Sequence, residues 1–414
     1  MRVLADLRPL REHRDFGRLW TGTTLSSVGG AMTSFAVTLQ VYQLTHSSAA
    51  VGAIGLALAV PIIMIGLYGG SLADSVDRRT LVLITSSCLA IVSAVFAVQA
   101  YADLHQLWLL YALVAVQSLL GALDAPARRT FVVRLLPDDR VPAGVALNQL
   151  AFQVSFVAGP ALGGLVTAAW GLRACYLIDA LSFAAALYGV ARLPRVPPHD
   201  AEGTRPGVSA VLDGLRFIRR HRVLAGAFLA DLDAMVLGMP FALFPAINAA
   251  QFGGSPRTLG LLTAAPAVGG VIGSTFSGPV GHVRRQGRAM LVAVVVWGAA
   301  VAGFGLSRTL WLSVVLLGLA GAADTTSVVF RATIVQVATP DRFRGRVTAA
   351  DYVVGAGGPQ LGNVRAGAIG SLASPAFSAV SGGLAAAAGA VVLAFAVPDF
   401  ARYEPEPPVT SPTP

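Results

Sequence analysis

Two stretches of the chain decide the fold between them: LWLLYALVAVQSLLGALDAPARRTFVVRLLPD (Leu107–Asp138) and LWLSVVLLGLAGAADTTSVVFRATIVQVATPD (Leu310–Asp341). They stand 203 residues apart and share a leading Leu-Trp, a later Arg-x-Thr and a closing Pro-Asp. Each is long and apolar enough to cross a bilayer as a helix. The matching positions predict an internal repeat, in which two halves contain the same succession of helices.

The composition excludes a water-soluble globular domain. Of the 414 residues, 55% are apolar and only 12% are charged, whereas soluble domains carry about 25% charged residues. All 30 basic residues are arginines, and the net charge is +9. The arginines lie in short clusters between apolar runs and form no continuous basic face, so we expect a lipid bilayer as partner and no nucleic acid.

Twelve apolar runs are long enough to span a membrane, which predicts an all-α membrane protein of twelve transmembrane helices in two parallel six-helix repeats. The spans lie near 17–44, 49–73, 80–101, 106–128, 143–168, 172–193, 223–250, 257–281, 288–307, 309–332, 346–371 and 375–397. The predicted domains are an N-terminal half (1–194), a cytoplasmic linker (195–222), a C-terminal half (223–400) and a disordered tail (401–414).

The arginines also predict the orientation. With the N-terminus in the cytoplasm, the outer loops hold Arg173, Arg257 and Arg308, Arg365 lies within a span, and the other 26 face the cytoplasm. This asymmetry predicts an inner-membrane protein with both termini inside.

The linker contains an amphipathic pattern. In VSAVLDGLRFIRRHR the arginines face away from five apolar positions at helical spacing, which predicts a helix lying on the inner leaflet. The apolar positions are Val208, Val211, Leu212, Leu215 and Ile218.

Carboxylates inside the spans are candidates for proton coupling, because a charge within a bilayer is costly and is retained for a reason. Our candidates are Asp231, Asp233, Asp124 and Asp324. Asp231, about one-third into the seventh span, is the first choice, with a structural ion pair as the alternative. Side chains at i and i+2 point about 160° apart, so Asp231 and Asp233 cannot face one cavity together.

The other two carboxylates also have structural alternatives. Asp124 precedes Arg128 by one helical turn, which favours an ion pair within the helix. Asp324 has Arg331 two turns later on the same face.

Four further polar residues are candidates for lining a substrate cavity: Arg365, Gln117, Gln153 and Gln40. Arg365 could instead neutralise an aspartate or extend to the interface. The amides could equally hold helices together by hydrogen bonds.

The stretch GGSLADSVDRR (Gly69–Arg79) resembles the loop signature of the major facilitator superfamily. The resemblance implies that Asp74 gates the cytoplasmic side by facing a helix N-terminus of the other half, with Gly70, Arg78 and Arg79 completing the motif. The corresponding stretch GPVGHVRRQGR (Gly278–Arg288) lacks the aspartate, so a gating aspartate is expected in only one of the two halves.

The stretch GPALGG (Gly159–Gly164) in the fifth span resembles a signature of major facilitator exporters that exchange substrate for protons. It combines a bend at Pro160 with small residues at Gly159, Gly163 and Gly164 that allow close helix packing.

A likeness along nearly the whole chain includes RDFGRLWTG (Arg14–Gly22), VYQLTHSSAAVG (Val41–Gly52) and SPAFSAVSGG (Ser374–Gly383). These stretches resemble the enterobactin-exporter-like branch, which includes siderophore exporters and macrolide-type efflux pumps. The resemblance implies a monomer that exports an amphipathic small molecule by proton-driven alternating access. A proton-coupled nutrient importer on the same fold and a non-transporting membrane sensor are the alternatives.

The sequence offers nothing typical of an enzyme. The six histidines do not cluster as metal ligands, and neither a nucleophile elbow nor a phosphate-binding loop occurs. We therefore expect no catalytic residues, no metal and no cofactor.

Overall fold

The computed structural model describes residues 6–68, 77–193, 208–275 and 283–404, and the regular structure in these ranges is helical. The helices are α1 (Arg8–Glu12), α2 (Arg14–Thr45), α3 (Ser48–Tyr68), α4 (Arg78–Tyr101), α5 (Leu107–Leu135), α6 (Val141–Ala191), α7 (Val208–Arg220), α8 (Arg222–Gly238), α9 (Phe244–Gln251), α10 (Pro256–Thr275), α11 (Gln286–Leu306), α12 (Leu310–Ala338), α13 (Asp341–Leu372), α14 (Pro375–Ala396) and α15 (Pro398–Ala401). A 3-10 turn, Phe241–Leu243, lies between α8 and α9.

Within the described ranges, nine helical segments are long and apolar enough to cross a membrane. One of them, α6, has 51 residues, or roughly 76 Å, more than twice the thickness of a hydrocarbon core. It turns at Gly171, whose φ of 80° favours glycine. The helices α2 and α13 have 32 residues each but are more polar, and they supply several of the buried contacts below.

The seventh predicted span, 223–250, is not one continuous helix. It divides into α8 and α9, because Pro240 lacks an amide hydrogen and disfavours a helical residue before it; Met239 is accordingly extended. The amide of Ala242 donates to Oδ1 of Asn363 on α13 at 3.2 Å. The side chain of Asn363 thus supplies a hydrogen-bond acceptor for a backbone amide next to the break in the helix. Backbone polar groups inside a membrane need such partners.

The amphipathic linker helix is α7, but its packing differs from the expectation. Val211, Phe217 and Ile218 are buried, and Phe217 and Ile218 belong to a cluster with residues of α8 and α13. Leu212 and Leu215 remain exposed. Part of the face assigned to lipid is therefore covered by protein, because α13 continues beyond its spanning part and offers Phe343, which stacks on Phe217.

The two ends of the chain pack against their own halves. Arg140, next to the start of α6, lies 3.6 Å from Asp6 and 3.3 Å from Glu12 of the N-terminal segment. Hydrogen bonds from the side chain and backbone of Arg8 hold the pKa of Asp6 well below its usual range. Of the predicted tail, residues 405–414 lie outside the described ranges, whereas Glu404 lies 3.5 Å from Arg285.

The N-terminal half (α2–α6) and the C-terminal half (α8–α14) meet along two glycine-lined seams. In one, α3 packs on α13: a Cβ built on Gly52 would lie 2.6 Å from the carbonyl oxygen of Asn363. Nearby, the hydroxyls of Ser47 and Ser371 are 3.2 Å apart. Glycines allow backbones to approach this closely, so the halves are closed together at this end of the bundle.

The second seam is built by GPALGG. A Cβ on Gly164 would lie 2.6 Å from the carbonyl oxygen of Pro256, and one on Gly260 would lie 2.8 Å from that of Pro160. Gly159 and Gly163 face α2 instead, against Ala31 and Phe35. The motif thus packs helices within the N-terminal half and joins α6 to α10 across the halves.

We predict that Gly164→Ala weakens closure at this end. The added methyl group meets a backbone oxygen that cannot rotate away, and overpacking of this kind costs about 1–3 kcal/mol. The open-to-closed ratio should rise by roughly tenfold. The measurement is disulfide formation between Ser47→Cys and Ser371→Cys, in a background in which Cys88 and Cys175 are replaced by serine.

Gly121→Ala is the matched control, because a Cβ on Gly121 meets nothing within 4 Å. It should leave the cross-linking yield unchanged. Equal yields from the Gly164→Ala and Gly121→Ala proteins would show that this seam does not hold the halves together.

Candidate functional site

A partly buried arginine on α5 connects three helices of the N-terminal half. The guanidinium of Arg128 pairs with Asp124 one turn earlier and donates to Thr23 on α2 at 2.9 Å and to Ser86 on α4 at 2.7 Å. Thr85 donates to the other oxygen of Asp124 at 2.6 Å. We call these five residues the Arg128 cluster; its single positive and single negative charge balance.

Arg331 on α12, 203 residues after Arg128, has acidic partners instead. Its guanidinium pairs with Asp351 on α13, and its Nε lies 3.4 Å from Oδ1 of Asp231 on α8. Asp324 interacts electrostatically with both Arg331 and Asp231. We call these four residues the Arg331 cluster, in which three carboxylates face one guanidinium.

Two features of the Arg331 cluster suit proton binding. The second oxygen of Asp231 is buried and has no hydrogen-bond partner among the described residues. Asp324, which interacts electrostatically with Asp231 and Arg331, is exposed. With all three carboxylates ionised the cluster would carry an excess of negative charge, which a proton can relieve.

Asp233 and Arg365 lie elsewhere in the C-terminal half. The carboxylate of Asp233 packs against Gly389 of α14, away from Asp231 as helical geometry requires. A guanidinium nitrogen of Arg365 lies 2.5 Å from the place a Cβ of Gly382 would take. Each side chain retains one buried atom without a hydrogen-bond partner within the described ranges, Oδ2 of Asp233 and Nε of Arg365.

The three glutamines have different environments. Gln40 exchanges hydrogen bonds of 3.1 Å with Gln99 and accepts from Tyr176 at 2.6 Å, which holds α2, α4 and α6 together. Gln117 and Gln153 are half-buried. They remain the candidates with side chains available to a cavity.

Only part of the loop signature falls within the described residues. Gly70 and Asp74 lie outside them, as do the first five residues of Gly278–Arg288. Asp77 caps α4 by accepting from the amide of Thr80 at 2.8 Å. Arg79 donates to the carbonyl of Ala191 at the end of α6, at 2.7 Å, where a cation suits the helix dipole.

The sequence identified both arginines of the clusters but not most of their partners. Thr23, Thr85 and Ser86 carry no signal, because hydroxyls are common in membrane helices. The structure also pairs Asp351 with Arg331. Covariation between α8, α12 and α13 would be the signal that could find such a cluster.

Known proteins match this sequence along nearly the whole chain. Residues 4–413 match the family described as transmembrane secretion effector. An enterobactin exporter, EntS, of Citrobacter koseri is 26% identical over 408 residues, which are 98% of this chain and 97% of the relative. EntS of Shigella boydii is 27% identical over 407 residues, with the same shares covered.

Solved transporters share the fold. The nucleoside transporter NupG superposes with a TM-score of 0.72 at 14% identity over 94% of this chain and 100% of its own. A POT family transporter in complex with 5-aminolevulinic acid gives 0.74 at 12% identity, over 94% and 96%. A bacterial homologue of ferroportin in an inward-facing state gives 0.66 at 16% identity, over 92% and 98%.

Membership of this family makes the protein a membrane transporter of small molecules and not an enzyme. The resemblance in the loop and fifth-span motifs is thereby confirmed at the level of the family. The chain belongs to the transmembrane secretion effector family of major facilitator transporters.

Proposed function

We propose that this protein exports an amphipathic small molecule, with a siderophore as the first candidate class, and that an inward flow of protons drives the export. The observation that carries the proposal is the similarity to enterobactin exporters over 98% of the chain. A drug-like compound is the second candidate class. The transporter works as a monomer in the inner membrane.

The proposed architecture has twelve spans in two parallel repeats, with both termini in the cytoplasm. It counts α6 as two spans divided at Gly171 and adds α2 and α13 to the apolar helices. Supporting the repeat, α5 and α12 both have 29 residues, and Arg128 and Arg331 stand 21 residues after the first residue of these helices. In this orientation the glycine seams close the outer side.

We place proton coupling at the Arg331 cluster, with Asp231 as the carrier. When Asp231 is ionised it holds Arg331 against α8, and when it is protonated the guanidinium is left to Asp351 on α13. Protonation therefore changes which helix Arg331 binds. Such a change of partner links proton binding to a movement of α8 relative to α12 and α13.

We predict that Asp231→Asn abolishes coupling and leaves substrate movement intact. Asparagine keeps the size of the side chain, and Arg331 keeps Asp351 as its counter-ion. Accumulation of enterobactin in everted vesicles under a proton gradient should fall by roughly tenfold or more, the size of a typical coupling free energy. Exchange of labelled for unlabelled enterobactin, without a gradient, should persist.

Asp213→Asn is the control for a change of charge at a carboxylate. Asp213 lies on α7 and pairs with Arg216 on the same helix at 2.9 Å. This variant should accumulate substrate like the unmodified protein. If Asp231→Asn retains full gradient-driven accumulation, Asp231 is not the carrier.

We predict that deletion of the gene traps the substrate inside cells. The measurement is untargeted mass spectrometry of medium and cell extract, with and without the gene, in iron-poor and iron-rich growth. A compound should disappear from the medium and accumulate in the cells, and an iron chelator would identify a siderophore. If a compound instead fails to enter the cells, the proposal of export would have to be replaced by one of import.

A further inference from the structure

A third buried acidic group, Asp179, lies outside both arginine clusters. It is on the part of α6 that follows Gly171, and the residue has no exposed surface. Thr33 on α2 and Ser93 on α4 both donate to its Oδ2 at 2.8 Å. Its Oδ1 is buried and has no hydrogen-bond partner among the described residues.

The electrostatics of this pocket do not suit a carboxylate ion. No arginine or histidine of the described residues lies within ion-pair distance of Asp179. The polar contacts of its carboxylate are with the hydroxyls of Thr33 on α2 and Ser93 on α4, and Gly29 of α2 packs against it. A buried charge without a counter-ion is among the most costly groups in a protein, and protonation removes it.

The neighbouring titratable and charged groups form their hydrogen bonds and ion pairs with residues other than Asp179. On α6, Tyr176 donates to Gln40, and Cys175 contacts Thr167 and the carbonyl of Gly163. On α5, Arg128 is held by its own cluster. None of these groups supplies a positive charge to Asp179.

The packing also argues against a metal ion. Oδ1 of Asp179 and the hydroxyl of Ser182 lie 2.7 Å and 2.6 Å from the place a Cβ of Gly29 would take. The backbone of α2 thus fills the space next to Oδ1, where a cation would need several oxygen ligands. The hydroxyl of Ser182 donates to the carbonyl of Asp179 at 2.7 Å and keeps lone pairs for a proton on Oδ1.

We propose that Asp179 is an occluded proton-binding site of the N-terminal half, in which Thr33 and Ser93 bind one carboxyl oxygen and the other oxygen carries the proton. The site is independent of the Arg331 cluster and of the direction of transport. Because Thr33 and Gly29 lie on α2, the bound proton is held between α2, α4 and α6.

The test is infrared difference spectroscopy of the purified protein in lipid at neutral pH. The spectrum of the unmodified protein minus the spectrum of the Asp179→Asn variant should show the C=O stretching band of one protonated carboxyl group. Asparagine keeps an acceptor for Thr33 and Ser93, so the variant should fold. Asp213→Asn, the exposed and ion-paired control, should remove no such band.

A second variant keeps the test decisive if Asp179→Asn does not fold. Thr33→Val with Ser93→Ala removes both hydroxyl donors, so the C=O band should move to higher frequency. The proposal is overturned if neither variant changes a protonated-carboxyl band, since Asp179 is then ionised. It is also overturned if the band appears only after sodium is replaced by a large organic cation, which would assign the site to a metal ion. Neither measurement requires a substrate, so the outcome is separate from that of the export proposal.

Discussion

A guanidinium in the interior of a membrane protein has to be bound by side chains from other helices, and in this chain that requirement organises both halves. Arg128 on α5 binds Thr23 on α2, and Arg331 on α12 binds Asp231 on α8. In each half the arginine therefore connects the fourth predicted span to the first. An unpaired charge in such a place would cost about 3–5 kcal/mol, which is enough to fix how these helices pack.

The two arginines have different surroundings. The Arg128 cluster is balanced in charge, and hydroxyls of two further helices satisfy its remaining groups. Such a cluster needs no proton to balance its charge. The Arg331 cluster has a surplus of carboxylates, and Asp231 and Asp351 come from two different helices, α8 and α13. In the proposed mechanism its balance depends on protonation, which makes it the responsive element.

The sequence predicted the helices well where the signal was local. The repeated Leu-Trp start and Pro-Asp end located α5 and α12 to within several residues, and the i to i+4 spacing predicted the pair of Asp124 and Arg128. The break near Pro240 was missed because an apolar run hides it, and the partner that stabilises it, Asn363, is 121 residues away from Ala242. The pairing of Arg331 with Asp231 and Asp351 was missed for the same reason, since both carboxylates belong to other helices.

The glycines show how close packing and function are joined in this chain. Gly164 and Gly260 allow α6 and α10 to touch backbone to backbone, and the nearest atoms are carbonyl oxygens of Pro256 and Pro160. Contact between backbones has no side-chain rotamers to rearrange, so in the proposed alternating-access cycle the seam can part and rejoin as a whole. A larger residue at either position would hold the halves apart, and interlocking side chains would hold them together. A glycine seam of this kind fits a transporter that must close and open the same surface in every cycle.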